Sequence, residues 1–294
     1  MDFTGNIVAL VTPLRNGSLD TGAFTSLIER VIAGGASGIV PCGTTGESPT
    51  LTHQEHDDAI RLAVETAAGR VPVVAGTGSN STAEATRLTK AAARSGADAV
   101  LSVSPYYNKP TQAGLVAHFR TVAEASDLPV VLYDIPSRCG VRLELETTIA
   151  LAEHPNIQAV KIATGDVEDV CGIRQHTNLA ALSGDDSLTL PMISLGGVGV
   201  ISVISNLLPR RMSRLVQAAL DGDFSTALAE HNAMYPLMKA MFVESNPAPI
   251  KAAMAKMGWL ENELRLPLCP VSPTGMTVIE EALSPFLDEL ERDR

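Results

Sequence analysis

The sequence predicts an α/β protein, a (β/α)8 TIM barrel with a C-terminal helical extension. From residue 7 to about residue 223, short β-branched runs alternate with amphipathic segments of helical period, a pattern typical of repeated β-α units. The chain has 294 residues, which is enough for such a barrel of roughly 250 residues. Beyond residue 223 the alternation stops and only helical period remains.

Eight runs rich in β-branched residues are the predicted strands. They are residues 7–12, 38–42, 72–76, 99–103, 129–134, 157–163, 179–184 and 198–202. Helix candidates between them include residues 21–33, 54–68, 82–95 and 112–125. A doubly wound open sheet is the alternative, but residues 12–17 are not the glycine-rich phosphate loop expected after its first strand.

The C-terminal part is predicted to contain three amphipathic helices, at residues 226–242, 248–257 and 277–291. We therefore divide the chain into a catalytic barrel, residues 1–223, and a helical domain, residues 224–294. The helical domain is expected to dock on its own barrel or on a neighbouring subunit. The Asn-Pro-Ala-Pro break at residues 246–249 separates two helices or lines the site.

Composition excludes several classes of partner. The net charge is −11 and the pI is near 5.0, so neither nucleic acid nor an anionic membrane is expected to bind, because each requires a basic face. Small anionic substrates stay possible in a local cationic pocket. Without a signal peptide, a long apolar run or a Cys-x-x-Cys pair, the chain is predicted to be soluble and cytoplasmic.

Lys161 is the most informative residue, because it interrupts an apolar run that a parallel sheet would bury on both faces. A barrel interior lowers the pKa of a lysine, and the free amine is the nucleophile that forms a Schiff base with a carbonyl. The alternative is a lysine at a strand end that extends to solvent. The other five lysines lie in predicted helices or loops, where an ammonium reaches water; they are Lys90, Lys109, Lys239, Lys251 and Lys256.

Polar residues follow the predicted strands at the end where barrel enzymes place their active sites. After the second strand, residues 43–48 read Gly-Thr-Thr-Gly-Glu-Ser, which suits a carboxylate site and proton transfer. A glycine turn with a helix cap from Ser48 or Thr50 is the alternative. Tyr133 at the end of the fifth strand and Arg138 just beyond it could supply a proton donor and a carboxylate clamp; the alternative is that either is structural, with Arg138 paired to a surface acid.

A metal site is not predicted. His53 and His56 are one turn apart, and Asp185 and Asp186 follow the seventh strand. The histidines, however, lie at a helix start rather than with the acids, and such pairs are common without metal.

Five motifs together resemble the dihydrodipicolinate synthase family of pyruvate-dependent class I aldolases, which also contains N-acetylneuraminate lyase. The motifs are residues 43–47 (Gly-Thr-Thr-Gly-Glu), 106–110 (Tyr-Tyr-Asn-Lys-Pro), 133–136 (Tyr-Asp-Ile-Pro), Lys161 in its apolar strand, and Gly196-Gly197 before residues 199–202. The resemblance covers essentially the whole chain.

The resemblance implies a carbon–carbon lyase or synthase that condenses pyruvate with L-aspartate 4-semialdehyde in diaminopimelate and lysine biosynthesis. Arg138 marks the members that accept this aldehyde, although the family more often has threonine where Cys139 stands. The alternatives are an aldolase that cleaves N-acetylneuraminate or a 2-keto-3-deoxy sugar acid, and a non-catalytic keto-acid sensor.

The resemblance also implies residue roles, with no metal and no organic cofactor. Lys161 is the nucleophile, and Tyr133, Thr44 and Tyr107 form a proton relay, with Tyr107 reaching into the neighbouring subunit of a homotetramer built as a dimer of dimers. The expected substrate-binding residues are Thr45, Arg138, Gly184 and Ile201.

A regulatory site for the end product, L-lysine, is the last implication. The matching positions are Ser48, His53, His56, Asn80, Glu84 and Tyr106. Pro49 departs from the pattern of the inhibited bacterial members, and the residues could instead form an ordinary helix surface.

Overall fold

The computed structural model describes residues 1–292; residues 293 and 294, the end of the predicted helical domain, lie outside the described part. Within that part, eight parallel strands form one sheet, and we number them β1 to β8 along the chain. Their bounds are β1 Gly5–Ala9, β2 Gly38–Val40, β3 Val74–Gly76, β4 Ala99–Val103, β5 Val130–Asp134, β6 Ile157–Ile162, β7 Ala180–Ser183 and β8 Gly199–Ser202.

The sheet closes into the predicted barrel. Strand β1 pairs with β8 on one side and β2 on the other, so that Ile7 lies opposite both Ile201 and Gly38. A single bridge between Ile39 and Val73 joins β2 to β3 and completes the ring. The (β/α)8 prediction is therefore confirmed, and the carboxyl ends of all eight strands meet at one mouth.

Side-chain alternation sorts each strand into an inner and an outer set. In β6, Ala159 belongs to the cluster inside the barrel, whereas Val160 and Ile162 pack in the larger core between sheet and helices. Lys161 has the same parity as Ala159, so its side chain is directed into the barrel.

Helices follow the strands around the barrel. They are α1 Thr21–Ala33, α2 His53–Ala67, α3 Thr82–Arg94, α4 Gln112–Ala123, α5 Pro136–Cys139, α6 Leu145–Ala152, α7 Asp169–His176, α8 Thr189–Ser194 and α9 Pro209–Leu220. Helix α2 is capped by Thr52, whose side chain forms a capping box with Glu55. The cap is therefore neither Ser48 nor Thr50, which begin and end a separate 3-10 turn.

The C-terminal part is helical, as predicted, with α10 Phe224–Ala240, α11 Ala248–Lys256, α12 Pro273–Leu283 and α13 Leu287–Arg292. The single helix predicted at residues 277–291 was wrong: a 3-10 turn at Ser284–Phe286 interrupts it. Pro285 explains the break, because proline has no backbone N–H to donate to the hydrogen bond that a continuous helix needs.

These C-terminal helices pack on their own barrel. Met234, Ile250 and Ile279 join the core that lies between the sheet and the barrel helices. The division into two domains at residue 223 stays a prediction. No helix within residues 1–292 has the length and apolar character needed to cross a bilayer.

The structure corrects one sequence-based expectation about the lysines. Lys251, on α11, does not reach water: its side chain is fully buried and lies 2.6 Å from the equally buried Glu47. A buried charge was not foreseen because the pattern of a helix alone does not reveal what packs against it.

Candidate active site

The Lys161 side chain is 5% exposed and lies inside the barrel near the mouth. On the adjacent strand β5, Tyr133 is its direct register partner. The Lys161 Nζ lies 4.2 Å from the centre of the Tyr133 ring. The alternative of a lysine extending to solvent is thereby excluded.

Burial lowers the pKa of Lys161 to about 8, because desolvation disfavours the ammonium form. The carboxylate of Asp186 opposes this shift, and the guanidinium of Arg138 adds to it. About a tenth of the lysine is then the free amine at pH 7, against roughly 0.03% for an ordinary lysine. The arrangement produces a nucleophilic amine near neutral pH.

Gly184 follows β7, the strand next to the nucleophile's strand, and Ile201 lies on β8, one strand further around the barrel. A Cβ on Gly184 would stand 3.0 Å from Lys161 Cε and 2.8 Å from Ala163 Cβ, so this position has no room for a side chain. Ile201 is 1% exposed in the cluster inside the barrel that also contains Tyr133. Both predicted substrate-binding positions therefore border the barrel interior.

Tyr133 holds its proton at neutral pH. Burial raises its pKa to about 12, although Arg138 and a hydrogen bond with the Thr44 side chain oppose the shift. A neutral phenol hydrogen-bonded to a hydroxyl can donate and accept a proton in turn. The structure thus brings Lys161, Tyr133 and Thr44 together.

Thr45 and Arg138 are connected through Asn246, which lies between α10 and α11. The Asn246 Nδ2 donates to Thr45 Oγ1 at 3.0 Å, and Arg138 Nη2 donates to the Asn246 carbonyl oxygen at 3.1 Å. Asn246 is 5% exposed, and its Oδ1 has no hydrogen-bond partner. The break at residues 246–249 therefore borders the site as well as separating two helices.

Asp186, considered above only as a metal ligand, is a buried carboxyl close to the nucleophile. Its Oδ2 accepts from the backbone N–H groups of Val203 and Ile204, while Oδ1 has no partner. Burial raises the pKa of Asp186 to about 6, so it is mostly ionised at neutral pH. Within residues 1–292, no group of three or more potential metal ligands comes together.

A cavity of about 300 Å3 opens beside these residues. Thr44, Arg138 and Cys139 line it, and a smaller cavity of about 30 Å3, which shares Thr44, adjoins Tyr133. The Cys139 Sγ donates to the Ser104 carbonyl oxygen at 3.1 Å, and burial raises the pKa of this thiol to about 11. Cys139 therefore lines the cavity as a protonated thiol that is held by a hydrogen bond.

The same 300 Å3 cavity includes five of the six residues expected to bind L-lysine, which are Ser48, His53, His56, Glu84 and Tyr106. Asn80 is not among its lining residues, but its carbonyl oxygen accepts from Asn108 Nδ2 at 2.8 Å. The Glu84 carboxylate accepts from Ser79 and from His53 Nε2, and these hydrogen bonds hold its pKa below the usual value.

His56 is buried, in contrast to His53. Its Nε2 lies 2.9 Å from the Gly76 carbonyl oxygen, and burial lowers its pKa. A neutral imidazole therefore lines the cavity and adds no positive charge there.

Tyr107 is 89% exposed and has φ of 74°, the left-handed region. It does not line the cavity of its own chain in the part that the structure describes. Of the four residues expected in the nucleophile and relay set, Tyr107 is the one that the single chain leaves apart.

Two features near the site were missed by the sequence reasoning. The electrostatic role of Asp186 could have been inferred from its place after β7, next to the loop that carries Gly184. The Glu47–Lys251 pair has no sequence signal, because its two members are separated by more than 200 residues.

Comparison with known proteins agrees with this geometry. The model of the dihydrodipicolinate synthetase family matches residues 2–285. The 4-hydroxy-tetrahydrodipicolinate synthase of Syntrophus aciditrophicus (strain SB) is 48% identical over 286 residues, covering 97% of this chain and 98% of the relative. The crystal structure of dihydrodipicolinate synthase from Aquifex aeolicus superposes with a TM-score of 0.96 at 46% identity, covering 98% and 99% of the two chains. The family predicted from the motifs is confirmed, and the chain belongs to the dihydrodipicolinate synthetase family.

Proposed function

We propose that this chain condenses pyruvate with L-aspartate 4-semialdehyde through a Schiff base on Lys161 and so makes 4-hydroxy-tetrahydrodipicolinate, the product for which its relatives are named. The observation that carries the proposal is the buried Lys161 amine, with its pKa lowered to about 8, beside the Tyr133 phenol. A crystal structure of the Acinetobacter baumannii enzyme, 43% identical to this chain, is complexed with pyruvate.

The reaction begins when the Lys161 Nζ lone pair attacks C2 of pyruvate. The carbinolamine loses water to form a protonated imine, an electron sink that allows a proton to leave C3 and gives an enamine. The enamine carbon attacks the aldehyde carbon, and the aldehyde oxygen takes up a proton. This attack restores the iminium at C2, and the substrate amine adds to it. A proton then passes from that nitrogen to Nζ, a C=N bond forms in the ring as the bond from C2 to Nζ breaks, and Lys161 is released as the amine.

Tyr133 and Thr44 move protons during these steps. Water loss from the carbinolamine needs a proton donor, and the Tyr133 phenol keeps its proton because its pKa is about 12. Its hydrogen bond with Thr44 allows the proton to be replaced from the cavity side. Such a relay contributes typically 10²- to 10⁴-fold in rate.

Two groups near the mouth receive the substrate carboxylates. Thr45 holds the pyruvate carboxylate, with the main chain at Gly184 and Ile201 completing the site. Arg138 clamps the carboxylate of the semialdehyde in a charge-assisted pair, worth about 1.5–3 kcal/mol. Asn246 contacts both Thr45 and Arg138, so the two carboxylates bind to one connected structure.

A substrate panel tests the proposal. Wild type is expected to convert pyruvate and L-aspartate 4-semialdehyde and to leave N-acetylneuraminate and 2-keto-3-deoxy sugar acids uncleaved. Lys161→Arg is the matched variant, because it keeps a cation but cannot form the imine, and it should lose turnover. Near-normal turnover by that variant, or preferential cleavage of a sugar acid by wild type, would contradict the assignment.

The relay is completed in a homotetramer, built as a dimer of dimers, by Tyr107 of a neighbouring subunit. The 89% exposure of Tyr107 supports this proposal, because an aromatic ring in that position is available to another chain. A monomeric variant is known from a relative 38% identical to this chain, so the assembly has to be measured. Light scattering together with activity on dilution tests it: full activity in a monomer would refute the shared site.

L-Lysine is proposed to bind the 300 Å3 cavity as a feedback inhibitor. The anionic Glu84 and the neutral His56 support a site for a dication, and a relative from Cyanidioschyzon merolae, 42% identical, has been crystallised with lysine bound. Initial rates with and without L-lysine test the proposal, with D-lysine as the control ligand. Glu84→Gln should weaken inhibition at least tenfold, the loss of one charge-assisted pair; rates unaffected by L-lysine would contradict the proposed site.

A further inference from the structure

The fully buried ion pair between Glu47 and Lys251 has no part in the reaction described above. The Lys251 Nζ lies 2.6 Å from Glu47 Oε1 and also donates to the carbonyl oxygen of Thr12 at 3.0 Å. The second Glu47 oxygen accepts from the backbone N–H of Arg265 at 3.2 Å. Glu47 is thus bonded to α11 and to the loop before α12, and Lys251 adds the segment after β1 to the same cluster.

Stability alone does not explain why two charges lie there. Desolvation of a buried pair commonly offsets its Coulomb attraction, and apolar replacements are often neutral or stabilising. Among the ion pairs of residues 1–292, this is the one whose two side chains are both 0% exposed. By contrast, Lys256 on the same helix pairs with Glu280 at the surface, with side chains 38% and 46% exposed.

Glu47 ends the turn that carries the two site threonines. The turn is bounded by two non-glycine residues in the left-handed region, Cys42 with φ of 56° and Glu47 with φ of 55°. Such conformations persist only where the surroundings hold them, and they concentrate at functional sites. Gly46 is constrained by space instead, because a Cβ there would stand 3.0 Å from the Cys42 backbone nitrogen.

Between these bends, Thr44 contacts Tyr133, and Thr45 accepts from Asn246. The turn closes on itself through hydrogen bonds from Gly46 N to Gly43 O and from Glu47 N to Thr44 O, each 3.1 Å. A movement of Glu47 is therefore transmitted to both threonine hydroxyls through the short backbone between them.

We propose that Glu47 and Lys251 are positioning residues: their buried ion pair anchors the 43–47 turn to α11 and thereby fixes the Thr44 and Thr45 hydroxyls at the nucleophile. The inference rests on the proposed function for its catalytic consequence. A displacement of about 1 Å in such groups can cost about 100-fold in rate. The C-terminal helices then serve the active site of the barrel as well as its core.

The test compares neutralised pairs. Glu47→Gln with Lys251→Met removes both charges together, which avoids the lone buried charge that either change alone would leave. Glu47→Asp is the second variant, because it keeps both charges and only shortens the anchor. Two controls are matched: Lys256→Met on the same helix, and Arg211→Met with Glu230→Gln, which removes a partly buried pair between α9 and α10.

Hydrogen exchange and turnover are both measured at a temperature at which every variant is folded. Amide hydrogen exchange of the peptide covering residues 42–48 should be faster in both Glu47 variants and unchanged in the controls. Turnover should fall 10- to 100-fold in those variants, as expected for displaced catalytic groups, while the controls keep wild-type kcat and KM.

The outcomes separate the inference from the proposed function. If exchange or kcat of both Glu47 variants stays at the wild-type value, or if the Arg211 and Glu230 control loses kcat equally, the positioning role is overturned. Absence of synthase turnover in wild type would instead refute the proposed function, and the exchange measurement would still report on the anchor.

Discussion

Replacing Asp186 with asparagine should make Lys161 a better nucleophile at neutral pH. The Asp186 carboxylate raises the pKa of Lys161, opposing the larger effect of burial and the smaller effect of Arg138. Asparagine has no charge but keeps an oxygen that can accept from Val203 and Ile204. The variant should therefore fold and should lower the pKa of Lys161 further.

The size of the effect follows from the pKa of about 8 in wild type. A neighbouring opposite charge commonly shifts a pKa by 1–3 units, and we take about 1 unit because Asp186 also binds two backbone N–H groups. The free-amine fraction at pH 7 then rises from about a tenth to about a half, roughly fivefold. At pH 9 both enzymes are mostly free amine, so the difference should nearly vanish.

The assay is the initial rate of borohydride-trapped adduct formation at low pyruvate, measured from about pH 6 to pH 10, where this rate reports on the free enzyme. The acid limb should move from about pH 8 to about pH 7 in the variant. Asp185→Asn is the control, because it leaves the Asp186 carboxylate in place. A limb that stays at pH 8 or moves upward would refute the electrostatic reasoning.

Three further predictions concern the same site. Lys161→Met should stabilise the fold at pH 7 by up to about 3 kcal/mol, since the lowered pKa means that the folded state holds the ammonium unfavourably below pH 8. The gain should fade from pH 8, where the folded lysine loses its proton, to pH 10.5, where the unfolded lysine loses its proton too. Thermal unfolding measured against pH tests this, and a gain that stays constant with pH would contradict it. Arg138→Gln should lower kcat/KM for the semialdehyde 10- to 100-fold while pyruvate trapping at pH 9 stays within a few fold; steady-state kinetics would contradict the clamp if both fell equally. Tyr133→Phe should lower kcat at least 100-fold with the fold intact by circular dichroism, and a smaller loss would remove the phenol from the relay.

The barrel could be predicted from the sequence because strand burial in a parallel sheet leaves a periodic signature. The apolar run around Lys161 indicated the nucleophile, and the motifs after β2 and at the end of β5 located Thr44 and Tyr133. Strand ends were less accurate: β1 was predicted to extend to residue 12 but ends at Ala9. Beyond that point, Val11 N–H bonds to the Asn206 side chain instead of a neighbouring strand.

Long-range pairing explains what the sequence could not reveal. Lys251 appeared to be an ordinary helix-surface lysine, and only the packed fold places it against Glu47. Asp186 was assessed as a metal ligand because nothing local showed that its partners are the backbone N–H groups of Val203 and Ile204. The break in the last helix, by contrast, had a local signal, Pro285, which the prediction from helical period did not take into account.

The central claim is that Lys161 forms the imine with pyruvate. Incubation with pyruvate and borohydride, followed by intact mass and peptide mapping, tests it most directly, with Lys251, the other buried lysine, as the internal comparison. We predict one reduced pyruvyl adduct per chain, on the peptide that contains Lys161, and none when Lys161 is replaced by arginine. An unmodified Lys161, or an adduct on another lysine, would contradict the mechanism.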